Sequence, residues 1–292
     1  MAKSVEQLTA FVESVETGGF KAASRRIGKH AVTISGLVAN LEAELGFDLF
    51  IRKPRSLELT EKGEELYSYA KSALHELEYF DAKADSLLEG KPSRLTLAID
   101  PSVTNKALVN VYNKLLTDFP TLDIRILNGD PLLVRNWVLT GQADLGFSMA
   151  TLGLPTELSY IDGFSFEVAL IGNPKLSSLL ANMPTKELRR IPQVSLHYFK
   201  ELGLSDVHEM SYRVTHCSNM HEIISIVEGC ECWAAAPKYL VQDKLEQGRL
   251  KTFSLEGHHS ANWHTELFWR SEKPINEAMQ VFIDNVIVIP NC

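Results

Sequence analysis

The chain of 292 residues lacks any long apolar run. A transmembrane helix needs about 18 consecutive apolar residues, and no segment of the sequence supplies them. Met1 to Glu6 lead directly into an amphipathic pattern instead of an apolar leader. We therefore expect a cytoplasmic protein with no membrane partner.

The motifs of the common enzyme classes are also missing. The sequence has no Gly-rich phosphate loop, no Gly-x-Ser-x-Gly, no His-Glu-x-x-His and no strong metal-ligand spacing. We predict that the protein is not an enzyme, that it holds no cofactor and that it binds no metal.

Cysteine is scarce, and all four cysteines fall in the second half of the chain, at Cys217, Cys230, Cys232 and Cys292. Without an export signal they are expected to be reduced thiols. Cys-x-Cys is not a strong zinc spacing, and a buried free cysteine behaves as a small apolar side chain. A thiol-sensing or metal-sensing role of Cys217, Cys230 and Cys232 stays open as an alternative.

Helical spacing and tight turns dominate the first 60 residues. The apolar positions of the first helix recur at i, i+3, i+4 and i+7, at Leu8, Phe11, Val12 and Val15. Gly18-Gly19 interrupts this pattern, residues 21–27 predict a second short helix, and Gly28 precedes a third helix that starts near Ala31. This arrangement is typical of a helix-turn-helix, which buries one face and leaves the other free for the DNA major groove.

The third helix and the segment after it carry the expected DNA contacts. Thr33, Gly36 and Asn40 lie opposite its apolar face and would meet base edges. Residues 48–59 predict a hairpin with a basic tip, and although a basic turn is usually ordinary surface, its position after the helices favours a DNA-binding wing. The predicted DNA-binding residues are Lys21, Arg25, Lys29, His30, Val32, Thr33, Ser35, Gly36, Asn40, Arg52, Lys53 and Arg55.

The charge distribution agrees with this prediction. The whole chain carries a formal net charge of -8, whereas residues 1–60 hold eight Lys and Arg against seven Asp and Glu, a net of +1. Most of these cations lie near the turn and the wing. A basic patch on an acidic chain predicts DNA binding that weakens steeply with salt.

Two sets of residues point to a known family. The first is Leu8, Phe11, Gly19-Phe20, Ala22-Ala23, Ile27, Ser35, Leu41-Glu42, Leu45-Gly46, Leu49-Phe50, Arg52 and Leu59-Thr60. The second is Phe119-Pro120, residues 141–147, Ala236-Pro237 and Gly248-Arg249-Leu250. Over essentially its whole length the chain resembles the LysR-type transcriptional regulators.

The resemblance implies a multidomain α and α/β fold: a winged helix-turn-helix, a linker helix and a two-lobed α/β effector-binding domain similar to periplasmic binding proteins. It implies a sequence-specific regulator that binds double-stranded promoter DNA. It further implies a small-molecule effector between the lobes, a homodimer that assembles to a homotetramer, and contact with RNA polymerase. A solute-binding or enzymatic α/β domain fused to a helix-turn-helix is the less favoured alternative.

The recognition helix departs from the family pattern. The family usually opens it with Ser-Gln-Pro and continues with Ser-Arg, whereas this chain has His30-Ala31-Val32 and then Ser35-Gly36. Gln and Arg would each supply about 1–3 kcal/mol of base discrimination. Ala31 and Gly36 therefore predict a different site or weaker direct readout, with Val32 and Thr33 against thymine methyl groups.

A long helix is predicted after Thr60, which is a suitable N-cap. Its apolar residues step by four and three, as in a coiled-coil seam, so they predict dimerisation. The seam consists of Leu66, Ala70, Ala73, Leu77, Phe80, Ala84 and Leu87. We predict domains at residues 1–60, 61–90 and 91–292.

The remaining 200 or so residues alternate apolar strands with amphipathic helices, which predicts an α/β sheet. Predicted elements of the first lobe are residues 95–99, 106–118, 122–127, 131–140 and 143–147; those of the second are residues 167–171, 193–196, 220–228 and 232–235. In the family the chain crosses between lobes twice, and we place the crossings near Asp162 and Glu266. Lobe I then comprises residues 93–162 and 266–292, and lobe II residues 163–265.

Ligands of α/β sheets bind at the carboxyl ends of the strands, beside helix N-termini. This rule and the family resemblance select the predicted effector-binding residues Ser102, Thr104, Asn128, Asp130, Ser148, Thr215, His216 and Cys217. Capping of the following helix by Ser102 and Thr104 is the commoner use of such residues, and it is compatible with ligand contact.

Overall fold

A computed structural model describes residues 3–53, 56–151, 153–176, 184–255 and 262–292. The chain forms two compact units, residues 1–90 and 91–292.

The first unit is a winged helix-turn-helix followed by a long helix, as predicted. Its elements are α1 (Val5–Thr17), α2 (Phe20–Ile27), α3 (Ala31–Leu45), β1 (Phe50–Arg52), β2 (Leu57–Leu59) and α4 (Glu61–Leu88). Gly18, Gly28 and Gly46 end the first three helices in the left-handed conformation, which glycine adopts without steric penalty. The strands β1 and β2 pair antiparallel, with Phe50 opposite Leu59.

The core of this unit joins the three short helices to the wing. Phe11 of α1 and Ile34 of α3 are at most 1% exposed, and Leu49 before the wing is fully buried. The ring of Phe50 meets Phe11 and Phe20 edge-on, with centroid distances of 5.6 and 5.7 Å. The wing is therefore fixed to α1 and α2 by aromatic packing.

The start of α4 is fixed by a cap and by a close approach. The Thr60 hydroxyl oxygen accepts a hydrogen bond from the Gly63 backbone nitrogen at 3.0 Å, which confirms the predicted N-cap. A Cβ atom at Gly63 would lie 2.2 Å from the Leu49 carbonyl oxygen, so only glycine fits there. This contact places the first turn of α4 against the segment that enters the wing.

The structure corrects the N-terminal part of the predicted dimer seam. Ala70 is 5% exposed and Leu66 is half-buried because both pack against the core of their own unit. Leu77, Phe80 and Leu87 remain exposed, at 41%, 68% and 59%. Ala73 is also exposed and Ala84 is half-buried. The role of the seam beyond Ala70 stays a prediction.

The second unit is a mixed α/β structure. Its strands are β3 (Arg94–Ile99), β4 (Asp123–Asn128), β5 (Leu145–Met149), β6 (Leu158–Gly172), β7 (Gln193–Leu196), β8 (Val214–Cys217), β9 (Trp233–Pro237), β10 (Lys251–Phe253) and β11 (Asn262–Arg270). Its helices are α5 (Lys106–Asp118), α6 (Pro131–Leu139), α7 (Thr185–Leu188), α8 (His197–Glu201), α9 (Ser205–His208), α10 (Met220–Gly229), α11 (Lys238–Glu246) and α12 (Glu277–Val286). A 3-10 turn, Pro101–Val103, follows β3.

The strands are hydrogen-bonded in the order β4-β3-β5-β11-β6-β9-β7-β8. The short strand β10 pairs with residues 170–172 of β6, on the edge opposite β9. The parallel trio β4-β3-β5 belongs to lobe I, and β9-β7-β8 is parallel in lobe II. The long strands β6 and β11 run antiparallel between them, and Glu266 pairs with Asp162, the two positions at which the sequence predicts the crossings. A register shift between His264 and Glu266 interrupts the pairing there.

The strand β5 begins two residues later than predicted. Asp144 precedes it, and its carboxylate accepts a hydrogen bond from the Thr96 backbone nitrogen at 2.6 Å and binds the Lys273 ammonium group. This side chain ties the entry of β5 to its neighbours, and the paired residues begin at Leu145.

Candidate DNA interface and effector cleft

The outer face of α3 is open to solvent. Val32 is 85% exposed, and Thr33, Gly36 and Asn40 are exposed, whereas Ile34 on the opposite face is fully buried. His30, at the N-cap position, is exposed, and Ser35 is half-buried. An α-helix with one free face of small and polar residues can enter the major groove.

The predicted basic residues that the structure describes are exposed, but several already have carboxylate partners. Lys29 pairs with Glu6, Arg52 with Glu42 and Lys53 with Glu58. Among the residues that the structure describes, Lys21 and Arg25 form no ion pair. Arg55, the remaining predicted wing cation, lies outside the described residues, as does Pro54.

Glu42 connects the recognition helix to the wing. Its carboxylate is 7% exposed and accepts hydrogen bonds from the backbone nitrogens of Leu49 at 2.8 Å and Phe50 at 3.1 Å, and from the Arg52 guanidinium at 2.7 Å. Bonds of this kind to an ionised acceptor are the strong ones. Arg52 therefore helps to hold the wing in place, although its side chain also faces solvent. The signal for this contact in the sequence was Glu42, a carboxylate on the otherwise apolar face of α3.

A second carboxylate joins α1, α2 and α4. Glu16 accepts hydrogen bonds from Lys71 at 2.8 Å and from the Tyr67 hydroxyl at 3.2 Å, and Arg26 lies 3.3 Å away. The hydrogen bond from Lys71 is the largest contribution that lowers the pKa of Glu16. These bonds hold α1 and α2 against α4.

In lobe I, the helix after the β3 turn is capped by Asn105. Asn105 accepts a hydrogen bond from the Leu108 nitrogen at 2.9 Å, so Ser102 and Thr104 do not cap α5, and their contact with an effector stays a prediction. Ser102 is 2% exposed, and its backbone nitrogen donates to the Asp100 carboxylate at 2.8 Å. Thr104 is half-buried. Asp100 is thus the side chain that organises the turn.

The other predicted residues of lobe I differ in accessibility. Asn128 ends β4 and is exposed. Asp130 caps α6 by accepting a hydrogen bond from the Leu133 nitrogen at 2.9 Å. Ser148 is fully buried, and its hydroxyl donates to the Met149 carbonyl at 3.0 Å, so in this conformation it presents no free donor to a ligand.

In lobe II, the predicted residues on β8 are divided between surface and core. Thr215 is exposed, whereas Cys217 is 7% exposed. The Nε2 atom of His216 lies 2.8 Å from the Glu209 carboxylate. None of these three side chains has a contact with lobe I among the interactions of the described residues.

The sequence prediction missed two tyrosines that follow strands of lobe II, one of which bonds to lobe I. Tyr239 follows β9, and its hydroxyl donates a hydrogen bond to the Ser102 carbonyl of lobe I. Tyr198 follows β7, is 3% exposed and lies close enough to Asp100 and Asp130 for their charges to raise its pKa, after the larger effect of burial. Both stand just past the carboxyl ends of strands, so the rule that selected Ser102 also points to them.

Asp100 belongs to the turn of lobe I that Tyr239 contacts. It is 2% exposed, and its carboxylate accepts hydrogen bonds from the backbone nitrogens of Ser102 and, at 3.3 Å, Met149. Burial raises the pKa of Asp100 from 3.8 to about 6, the hydrogen bonds oppose this shift, and the charge of Asp130 adds to it. Glu266, bonded to Thr151 beside the crossing of the strands, also has a raised pKa, mainly because of burial.

Cys217 and Cys232 are not arranged for thiolate chemistry. Burial is the main cause that raises the pKa of Cys217, and it raises that of Cys232 to about 11. Reactive cysteines have a lowered pKa, because the thiolate is the nucleophile. Within the described parts of the chain, no group of three or more His, Cys, Asp or Glu side chains could hold a metal ion, and none of the helices is long and apolar enough to span a bilayer.

Comparison with known proteins identifies both units. The family model "Bacterial regulatory helix-turn-helix protein, lysR family" matches residues 5–64, and the model of the LysR substrate binding domain matches residues 89–287. The chain is 29% identical over 216 residues to a probable nitrogen assimilation transcriptional activator of Synechococcus elongatus, covering 68% of this chain and 69% of that protein. It is 27% identical over 205 residues to a probable hydrogen peroxide-inducible genes activator of Mycobacterium leprae, covering 70% of this chain and 63% of that protein.

Among solved structures, full-length CbnR complexed with its target DNA has a TM-score of 0.52 and 17% sequence identity, and the match covers 97% of this chain and 98% of that chain. This likeness shows a common fold across both units. The two family models, taken with the helix-turn-helix and the two-lobed sheet, show that the chain belongs to the LysR family of bacterial transcriptional regulators.

Proposed function

We propose that the protein is a sequence-specific DNA-binding transcriptional regulator whose promoter binding is controlled by a small molecule held between the two lobes of residues 91–292. The open face of α3, with Thr33 and Asn40 exposed and Lys21 and Arg25 unpaired among the described residues, is the observation that supports it best. Family membership supports regulation and not catalysis, and we place the protein in the cytoplasm.

Base recognition on this face is assigned to Thr33, Asn40 and the exposed methyl groups of Val32, which can contact thymine. Lys21 and Arg25 supply phosphate contacts, which set affinity but carry no sequence information. Arg52 and Lys53 contribute less than their charge suggests, because each must keep or give up a carboxylate partner.

We place the dimer contact on the outer part of α4. Leu77, Phe80 and Leu87 are exposed apolar side chains on one helix, and a heptad seam of this kind pairs with a second helix. Phe80→Glu should convert dimers to monomers in sedimentation velocity, whereas Glu76→Gln, an exposed change on the same helix, should not. Dimers that survive Phe80→Glu would contradict this assignment.

An effector controls binding only if it favours one arrangement of the assembly over another, because a ligand with equal affinity for both shifts nothing. The contact between Tyr239 and Ser102 joins the lobes in this structure and would have to change when a ligand enters. Lobe movement could then alter the distance between the DNA-binding units of an oligomer.

The test is capture of fragmented genomic DNA of the source organism by the purified protein, followed by sequencing and a salt titration on the best fragment. A short set of sites with inverted half-sites one or two helical turns apart is the expected result. Uniform weak retention that salt abolishes would show non-specific binding and contradict sequence-specific regulation. Thr33→Ala should change the preferred base at one step, and Arg25→Ala should weaken all sequences equally.

A further inference from the structure

Lobe II has a cavity of its own, with a volume of about 550 Å³, on one face of its sheet. The described residues that line it all lie between Glu167 and Trp263, and none of the predicted effector-binding residues is among them. Pockets that hold small molecules have volumes of about 300–1,000 Å³. The cavity therefore has the size of a ligand site, and its lining differs from that of the cleft between the lobes.

The floor of the cavity is formed by three neighbouring strands. Leu170 of β6 is paired with Ala235 of β9 on one side and with Phe253 of β10 on the other, so the three side chains share one face of the sheet. Val168, two residues before Leu170, belongs to the same face. These side chains make the floor apolar.

This floor is less covered than the opposite face of the same strands. Ile171 and Ala234 of the opposite face are fully buried, whereas Val168, Leu170 and Ala235 are only half-buried. Removal of apolar surface from water is favourable by about 25 cal/mol per Å². A molecule that covers this floor would gain that free energy.

Two tryptophans line the cavity together with this floor. Trp233 is 1% exposed, meets Phe253 edge-on at a centroid distance of 6.0 Å and donates from its indole nitrogen to the Ser211 hydroxyl at 3.0 Å. Trp263 is half-buried and packs edge-on against Phe166 at 6.1 Å. Rings that are fixed in this way provide flat surfaces suited to an aromatic ligand.

His208 provides the cavity with a hydrogen-bonding group that is not in use. Its ring stacks on Phe199 with centroids 3.8 Å apart and lies 6.0 Å from the ring of Trp263. Among the described residues its ring nitrogens have no hydrogen-bond partner, and they are not cut off from solvent. Burial lowers the pKa of His208, so the neutral ring offers one donor and one acceptor.

The formal charges of the lining cancel. Glu167 and Lys238 are the carboxylate and the ammonium group among its described residues, and their charged atoms lie 2.7 Å apart. A charged ligand would lose its hydration here without meeting a free opposite charge, which is costly. The lining therefore favours a neutral molecule.

We propose that this cavity is a second small-molecule site, separate from the cleft between the lobes, and that it binds a neutral, compact aromatic compound with one hydroxyl group. The ligand ring packs on the apolar floor beside Trp233 and Trp263, and its hydroxyl bonds to His208. The inference is independent of the proposed function, because binding at this site requires neither DNA nor an effector in the cleft.

Isothermal titration calorimetry of the full chain at about pH 7.5, where His208 is neutral, tests the proposal. The probes are naphthol, naphthoate and naphthylmethylamine with the same ring position substituted, so that they differ in charge. We expect naphthol to bind at one saturable site and the two ions to bind about tenfold more weakly or worse. His208→Phe, which keeps a ring against Phe199, should weaken naphthol binding about fivefold, and Ala235→Phe, which fills the cavity, should abolish it.

His221→Phe is the matched control for the loss of a histidine, because His221 is exposed in the same unit and does not line the cavity. It should bind naphthol as the wild type does. Absence of naphthol binding, equal affinity in His208→Phe and wild type, or tighter binding of either ion would overturn the proposal. Circular dichroism establishes whether Ala235→Phe folds; full binding by the folded variant would place naphthol elsewhere, and His208→Phe decides the matter if Ala235→Phe does not fold.

Discussion

Asp100→Asn should make the stability of the second unit less dependent on pH. The pKa of Asp100 is raised from 3.8 to about 6, and one pKa unit corresponds to about 1.4 kcal/mol. Because the folded-state pKa is the higher one, the contribution of Asp100 to stability is fully present below about pH 3.8 and is lost as the pH rises through about 6. Ionised Asp100 therefore destabilises the folded state by about 3 kcal/mol at neutral pH, relative to the protonated form.

The asparagine variant carries no charge at any pH, so this penalty disappears. Its amide oxygen can still accept the hydrogen bond from Ser102, whereas the Met149 nitrogen loses its acceptor. That loss amounts to about 1 kcal/mol and does not depend on pH. We expect the difference in unfolding free energy, variant minus wild type, to increase by about 2.4 kcal/mol between pH 4 and pH 7.

Urea unfolding followed by tryptophan fluorescence can measure this difference. All four tryptophans, Trp137, Trp233, Trp263 and Trp269, belong to the second unit, so the signal reports on the unit that contains Asp100. Glu272→Gln controls for the removal of one negative charge at an exposed position of the same unit. A difference for Asp100→Asn that is constant with pH would refute the conclusion that burial raises the pKa of this carboxyl group.

Three further predictions concern the DNA-binding unit. Gly63→Ala should destabilise the unit by roughly 1–3 kcal/mol in thermal unfolding, because its Cβ atom would lie 2.2 Å from a carbonyl oxygen. Gly36→Ala, whose Cβ atom would meet nothing within 4 Å, should instead stabilise the unit by up to about 1 kcal/mol. Equal effects of the two substitutions would contradict this reasoning. Glu42→Gln should weaken all DNA binding by loosening the wing, seen as faster amide exchange at its strands, and unchanged exchange would argue against the link. In the titration of promoter affinity against salt, Arg25→Ala should reduce the slope by about one, whereas Thr33→Ala should leave it unchanged; equal slopes for both would contradict the assignment of phosphate and base contacts.

Local signals in the sequence predict much of this protein. Helical periodicity and tight-turn glycines give the three short helices, and the hydroxyl of Thr60 identifies the start of the long one. The bounds of α5 agree with the predicted residues 106–118. These features depend on residues within one or two turns of each other, so they can be derived without knowledge of the rest of the chain.

The prediction of the effector-binding residues was less complete than that of the helices. The rule that selected them identifies the end of a strand and not the direction in which each side chain points. Ser148 is at a strand end but buried, and Thr215 is at the surface with no contact to lobe I among the described interactions. Tyr198 and Tyr239 satisfy the same rule, and Tyr239 bonds to Ser102 of lobe I. Which of these side chains face each other depends on how the lobes close.

The sequence by itself determined the helix-turn-helix, the alternation of strands and helices, and the loops in which a ligand site could form. Only the tertiary structure decided that Glu42 binds the wing, that Ala70 packs into its own unit, and that Tyr239 bonds to the turn that contains Asp100. The last of these contacts joins residues 137 positions apart in the chain, and the geometry of all three follows from tertiary packing. Periodicity and capping depend on near neighbours, whereas the burial of a carboxylate and its pKa depend on everything that surrounds it.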